Sequence, residues 1–361
     1  MDARRQIRIP RLVRIKRGAL SRLGLYLRRE GGQTGGGSCG ETGCGPVLVL
    51  TSPLPEPVAH KARSVISDAG VAIVDWILVD NNEFEEAVRI FGLLPKKIGA
   101  IVGIGGGKAL DTAKYVAFLA GKPYIAVPTS LSNDGFCSPQ ASLTFGGKRR
   151  SLPAAMPQGL VLDVGVCLAA PKALWLSGVG DLVSKFTAVR DWKLAFHKTG
   201  ETVDDLAALL SDASVYQFLA SPTFDEAGTA LLGTALMLNG IAMEICGSSR
   251  PASGSEHLIS HALDAISSRP RLHGLQVGVA SYIISRLQGK HSEAIARLFR
   301  QTGFWEEICK ERFSRAEWLE AVRMAPSIKE DFYTILSVRD RLPEIKRMLD
   351  QDPLLRDCFT A

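Results

Sequence analysis

The sequence predicts an α/β parallel-sheet domain followed by an all-α domain. Short β-branched runs alternate with helical stretches as far as about residue 168. From residue 169 onward the strand-like runs stop and long amphipathic stretches take over. Alternation with near-continuous apolar strands implies a parallel sheet covered on both faces. The change of character divides the chain into residues 1–168 and 169–361.

In chain order, RLVRIKRG reads as a strand and ALSRLGLYLRREG as the helix after it. The stretch before them alternates charge with Ile, Leu and Val, as a half-exposed strand does, and lacks the apolar segment of a signal peptide. GGQTGGGSCGETGCG is a loop. VLVLTS is then a buried strand and PEPVAHKARSVISDAG a helix stopped by glycine. VAIVDWILV, the acidic-start helix near DNNEFEEAVRIFG, the strand IGAIVGIGGG, the helix KALDTAKYVAFLAG and the strand YIAVPTS continue the rhythm. Beyond the boundary, SGVGDLVSKFTAVRDWKLAFHK, TVDDLAALLSDASVYQFL, DEAGTALLGTALMLNGIAMEICG and EIKRMLDQDPLLRDCF all have helical character.

The composition, 46% hydrophobic and 22% charged, excludes a disordered majority. No stretch approaches the roughly 18 uninterrupted apolar residues of a membrane helix, so no membrane association is expected. The net charge of +6 is not gathered into one basic run, which argues against nucleic acid and leaves some excess to attract an anionic substrate. Seven scattered cysteines, an odd number, suit a reducing cytoplasmic setting better than a disulfide framework. Cys39 and Cys44 lack the two further ligands of a metal knuckle.

Three features carry chemistry. Gly105, Gly106 and Gly107 lie between an apolar strand and a helix, with Lys108 beside them. Such a turn lets a diphosphate approach the backbone and the helix N-terminus, although it departs from GxGxxG and also reads as a plain tight turn. After the next strand come Thr129, Ser130, Ser132 and Asp134, and two polar loops at successive strand ends look like a cofactor cleft. Asp134 also suits a simple Asp-Gly turn. Of only six histidines, His257, His261 and His273 fall within 17 residues, the first two on one helical face, and Asp181 follows two glycines early in a helix. One Asp with two His makes a catalytic zinc set with a fourth position open; buried structural histidines are the bland alternative.

In these residues the chain resembles the sn-glycerol-1-phosphate dehydrogenase family, within the group of glycerol dehydrogenase, iron-dependent alcohol dehydrogenases and dehydroquinate synthase. The likeness runs from about residue 7 to about residue 340, through GIGGGKALDTAK, VPTSLSNDGFCSPQASL, SGVGDLVSKFTAVRDWKLA, SGSEHLISHALD and LHGLQVGVAS. It implies a Rossmann-like domain and a helical domain of the dehydroquinate synthase-like fold, facing one another across a cleft. It implies metal ligation by Asp181, His257 and His273, and NAD or NADP at Gly105, Gly106, Gly107 and Lys108 with Asp111, Thr129, Ser130 and Ser138 close by. It places Asp134 near nicotinamide and substrate. Lys185 stands where iron-type relatives carry a fourth ligand, which favours a three-ligand site with zinc as the first choice. A homo-oligomer is expected.

The implied reaction is metal-dependent reduction of dihydroxyacetone phosphate to sn-glycerol 1-phosphate. The substrate phosphate would need cations: Lys185, or Lys148, Arg149 and Arg150, which read first as a solvated hairpin. His261 is either a proton relay or a hydrogen-bonding residue behind the ligands. Asn133, Phe136, Cys137 and Leu275 depart from the family pattern around the substrate, so another polyol or polyol phosphate remains an alternative. A dehydroquinate synthase-like cyclase using NAD without net redox is a second, with Asp181 in place of the usual Glu against it. A non-catalytic relative is a third.

Overall fold

The computed structural model describes residues 6–31, 45–329 and 331–360, so the Cys39/Cys44 loop lies outside the described residues. The chain forms two compact units: residues up to Ser130 with Gly135–Ala170, and Leu131–Asp134 with Pro171–Ala361.

In the first unit, strands β1 (Leu12–Lys16), β2 (Val47–Thr51), β3 (Ile73–Leu78), β4 (Ala100–Gly105), β5 (Tyr124–Pro128) and β8 (Gly159–Asp163) build one sheet in the order β1-β8-β5-β4-β2-β3. Every pairing in it is parallel. β6 (Gln140–Phe145) and β7 (Lys148–Pro153) form a separate antiparallel hairpin. Helices α1 (Leu23–Gly31), α2 (Glu56–Asp68), α3 (Phe84–Gly92) and α4 (Gly107–Ala120) connect the strands, and α5 (Val164–Ala169) follows the last of them.

Burial explains the apolar runs. Alternate residues of the inner strands, Val47, Val49, Val102, Ile104, Ile125, Val127 and Val161, pack with Leu23, Leu27, Ala62 and Ile66. Each such side chain contributes about 1.5–3 kcal/mol by leaving water. The edge strand β3 differs, because Val74 and Leu78 stay exposed. Early and late parts of the first unit are tied by Asp163, whose carboxylate accepts the amides of Gly18 (3.1 Å), Leu20 (3.0 Å) and Gly165 (3.0 Å).

The second unit is helical: α6 (Lys172–Thr199), α7 (Asp205–Leu219), α8 (Glu226–Cys246), α9 (Ser255–Ile266), α10 (His273–Leu287), α11 (Ser292–Thr302), α12 (Phe304–Lys310), α13 (Arg315–Ile328), α14 (Ile335–Val338), α15 (Leu342–Gln351) and α16 (Pro353–Arg356). α8 is apolar and long enough to cross a membrane by those measures alone, but 61% of its most apolar window is buried within the protein, as in a core helix. The last helical stretch breaks at Pro353, which cannot donate a backbone N–H, and Asp352 caps the restart by accepting from Leu354 N (3.0 Å).

Asp181 does not lie at a helix start. α6 begins at Lys172 after Pro171, so Asp181 is in its third turn and Gly178 and Gly180 are interior. Those glycines serve contact instead. A Cβ on Gly180 would stand 2.0 Å from the Gly274 carbonyl oxygen, and one on Gly178 would stand 2.1 Å from that of Leu131. α6 and α10 therefore meet backbone to backbone. Gly180→Ala gains about 1 kcal/mol of helix propensity but suffers about 3 kcal/mol of overpacking, because a carbonyl cannot swing aside. Urea denaturation should show a net loss of about 2 kcal/mol, and unchanged or raised stability would contradict this account of the crossing.

Candidate functional site

The second unit brings together three donors from three helices. Asp181 Oδ1 lies 3.5 Å from His257 Nε2 and 3.8 Å from His273 Nε2. All three donor atoms fall within 4.8 Å of one another. Ligand atoms at the corners of a zinc tetrahedron are about 3.3 Å apart, so this spacing fits one divalent ion after small side-chain movements. The helix crossing sets it up, since Asp181 follows Gly180 and His273 precedes Gly274.

Both imidazoles are oriented from behind. His257 Nδ1 contacts Glu256 Oε1 at 2.9 Å. Glu256 is fully buried and also accepts from Gly254 N and Thr187 Oγ1 (2.8 Å). A carboxylate there orients the ring through Nδ1 and leaves Nε2 facing Asp181. His273 Nδ1 contacts Ser260 Oγ (3.2 Å), which accepts from Gln276 Nε2 (3.0 Å). Ser255, at the start of α9, is fixed by Asp191, whose Oδ2 accepts its amide (2.8 Å) and hydroxyl (2.6 Å). Burial, and then the charge of Glu256, push the Asp191 carboxyl up to about 6.

Lys185 is fully buried one turn after Asp181. Its ammonium pairs with Asp134 Oδ2 at 2.9 Å and Asp181 Oδ2 at 3.4 Å, and donates to the Ala252 carbonyl at 3.3 Å. Burial opposes its charge, but the two aspartates raise its pKa overall. Burial opposes the Asp181 charge as well, yet Lys185, His257 and His273 hold this carboxyl well below the usual range. Asp134 moves the other way, pushed up by burial and then by Asp181. Its amide donates to Asp181 Oδ2 at 3.0 Å. The cation expected for a substrate phosphate is thus engaged by carboxylates. His261 is half-buried, its ring centroid 6.3 Å from His257 and 5.9 Å from His273.

The first unit carries the glycine turn. Gly105 has φ +142°, open only to glycine, and a Cβ there would meet Ser52 Oγ at 2.2 Å. Ser52 Oγ accepts the Gly106 amide at 3.3 Å. A Cβ on Gly106 or Gly107 would project into open space at the N-terminus of α4, leaving a cradle wide enough for a phosphate. Lys108 is exposed beside it, and the Thr129 amide donates to the Gly105 carbonyl at 3.1 Å, with Ser130 half-buried next to it. Asp111 and Ser138 gather around Lys114, whose buried ammonium lies 3.2 Å from Asp111 Oδ1 and 3.4 Å from Ser138 Oγ and donates to the Gly135 and Gln140 carbonyls at 2.6 Å each. Lys148, Arg149 and Arg150 are exposed on β7.

Sequence reasoning passed over Glu256, Ser260, Gln276 and Asp191, and on the nucleotide side Ser52 and Lys114. Glu256 alone carries a local signal, a carboxylate directly before a candidate ligand.

The profile of the family described as iron-containing alcohol dehydrogenase matches residues 14–171. Glycerol-1-phosphate dehydrogenase (NAD(P)+) of Pyrococcus furiosus is 34% identical over 303 residues, 82% of this chain and 87% of that relative. The protein of the same name from Methanothermobacter thermautotrophicus is 36% identical over 303 residues, 82% of this chain and 86% of that one. The chain belongs to the glycerol-1-phosphate dehydrogenase family. Its fold also matches a probable glycerol dehydrogenase from Sinorhizobium meliloti, with a TM-score of 0.72, 17% identity and coverage of 98% of this chain and 99% of the other. This is the dehydroquinate synthase-like fold. Among the departures from the family pattern, Phe136, Cys137 and Leu275 are core residues, whereas Asn133 is half-buried beside Asp134.

Lys185→Met removes the ammonium from one buried and one half-buried carboxylate and should destabilise the metal-free protein by about 3 kcal/mol at neutral pH. A raised carboxyl pKa means the charged form is the unfavourable one, so protonating Asp134 relieves the strain. The deficit should narrow on acidification from neutral pH, and denaturation curves showing a pH-independent deficit would refute the pairing.

Proposed function

We propose that the protein reduces dihydroxyacetone phosphate reversibly to sn-glycerol 1-phosphate with NADH or NADPH in the cytoplasm. We assign one divalent metal, zinc first, to Asp181, His257 and His273. The observation that carries this reading is the convergence of those three donors in a chain of this family. When bound, the metal supplies Lewis acidity toward the ketone and the nicotinamide supplies the hydride.

The chain's residues do the remaining work. Gly105, Gly106, Gly107 and the N-terminus of α4 hold the diphosphate, with Lys108 adding positive charge. Thr129, Ser130, Asp111 and Ser138 shape the same cofactor site. Lys185 fixes Asp134 and Asp181, so that Asp134 meets the substrate in one orientation. His261, half-buried and next to both ligand imidazoles, carries the proton that the product oxygen needs. Zinc is the first choice because one carboxylate and two imidazoles are a donor set that would suit it.

The test is loss of nicotinamide absorbance when metal-loaded protein meets dihydroxyacetone phosphate, with unphosphorylated dihydroxyacetone in parallel. Metal-dependent oxidation confined to the phosphorylated ketone, and abolished by Asp181→Ala, is expected. Bound metal and cofactor without oxidation of NADH or NADPH would exclude this activity and favour the cyclase. Separately, Glu256→Gln should weaken zinc binding about 10- to 100-fold in calorimetric titration, because His257 loses its orienting carboxylate. Unchanged affinity would remove Glu256 from the account.

A further inference from the structure

The second unit holds a pair of thiols that the proposed reaction does not use. Cys309 is at the end of α12 with its side chain exposed, and its Sγ contacts the Asp357 carbonyl at 3.5 Å. Cys358 is fully buried, its Sγ 3.1 Å from the Leu354 carbonyl. Cys309 Sγ thus lies against the peptide that leads into Cys358. Both are free in this structure.

The backbone around the pair is fixed. Phe313 N donates to the Cys358 carbonyl at 2.9 Å, and Thr360 N donates to the Phe313 carbonyl at 2.9 Å. Phe359 packs on Trp318, with ring centroids 5.1 Å apart. With Cys309 Sγ against the peptide that carries Cys358 and both segments anchored, side-chain rotation is the movement that brings the two sulfurs to bonding distance.

We propose that Cys309 and Cys358 are an oxidisable dithiol, which a small disulfide such as glutathione disulfide converts into an internal disulfide joining α12 to residues 357–360. The Cys309 thiolate attacks one glutathione sulfur, forming a mixed disulfide and releasing one glutathione. The Cys358 thiolate then attacks Cys309 Sγ and releases the second. The protein loses two protons and two electrons, and glutathione disulfide gains them.

Exposure assigns the order of events: the outer thiol meets the reagent and the buried one resolves it. Burial, with Asp357 and Glu306 outweighing Arg312, raises the Cys309 thiol. Burial, then Cys309, Asp357 and Asp352, raise the Cys358 thiol. Thiolate is therefore scarce at neutral pH and exchange is slow. The pair acts as a slow latch rather than a rapid peroxide sensor.

The test incubates the reduced full-length protein with glutathione disulfide at mildly alkaline pH and maps peptides without reduction. A linked Cys309–Cys358 peptide pair is expected, with Tm raised by about 5 °C or more and restored by dithiothreitol. Cys358→Ser should stop at one glutathione on Cys309. Cys309→Ser, at an exposed position that does not threaten folding, should leave Cys358 unmodified in the folded protein. A stable glutathione adduct on wild-type Cys309 without the linked pair would overturn the proposal, as would ready modification of Cys358 in Cys309→Ser.

Discussion

The backbone contact between Gly180 on α6 and Gly274 on α10 governs the second unit. With any side chain at these positions the helices would have to separate. Asp181 and His273, the immediate neighbours of the two glycines, would then move out of reach of each other. Close packing is thus converted into ligand spacing. Rigid helices hold the donors, which is the condition for a site assembled before its ion arrives.

That crossing buries an aspartate in the middle of a 28-residue helix, a costly placement without compensation. Lys185 compensates from the next turn of the same helix, and its side chain is as completely buried as its partner's. The motif that suggests a ligand-free cation for phosphate holds instead the counter-charge of the aspartates. Position four after the aspartate still serves the site, but from behind it.

Much of this organisation is legible in the sequence. Apolar runs such as VLVLTS and YIAVPTS declare the inner strands because both faces of those strands are buried, and the long stretches after residue 169 declare helices by period. Asp181, His257 and His273 are legible because rare residue types cluster around glycines. Other features leave no local trace. Residues Leu131–Asp134 join the helical unit although they follow a strand of the first unit, since Gly178 admits the Leu131 carbonyl against α6. Gly178 and Gly180 look like a helix start because glycine disfavours helix interiors, and only the contact explains why they are tolerated. Gln276 and Asp191 reach the histidines through hydrogen bonds between distant segments, which spacing along one chain cannot encode.

The charges around the donor set are unequal. Asp181 and Glu256 bring two buried carboxylates and Asp134 a half-buried third, and Lys185 is the ammonium set among them. In a medium of low polarity such an excess draws counter-charge, and a doubly charged ion at the proposed site would offset it. A monovalent ion leaves residual negative charge and a trivalent one overshoots. At the proposed site valence would therefore select among ions before element does.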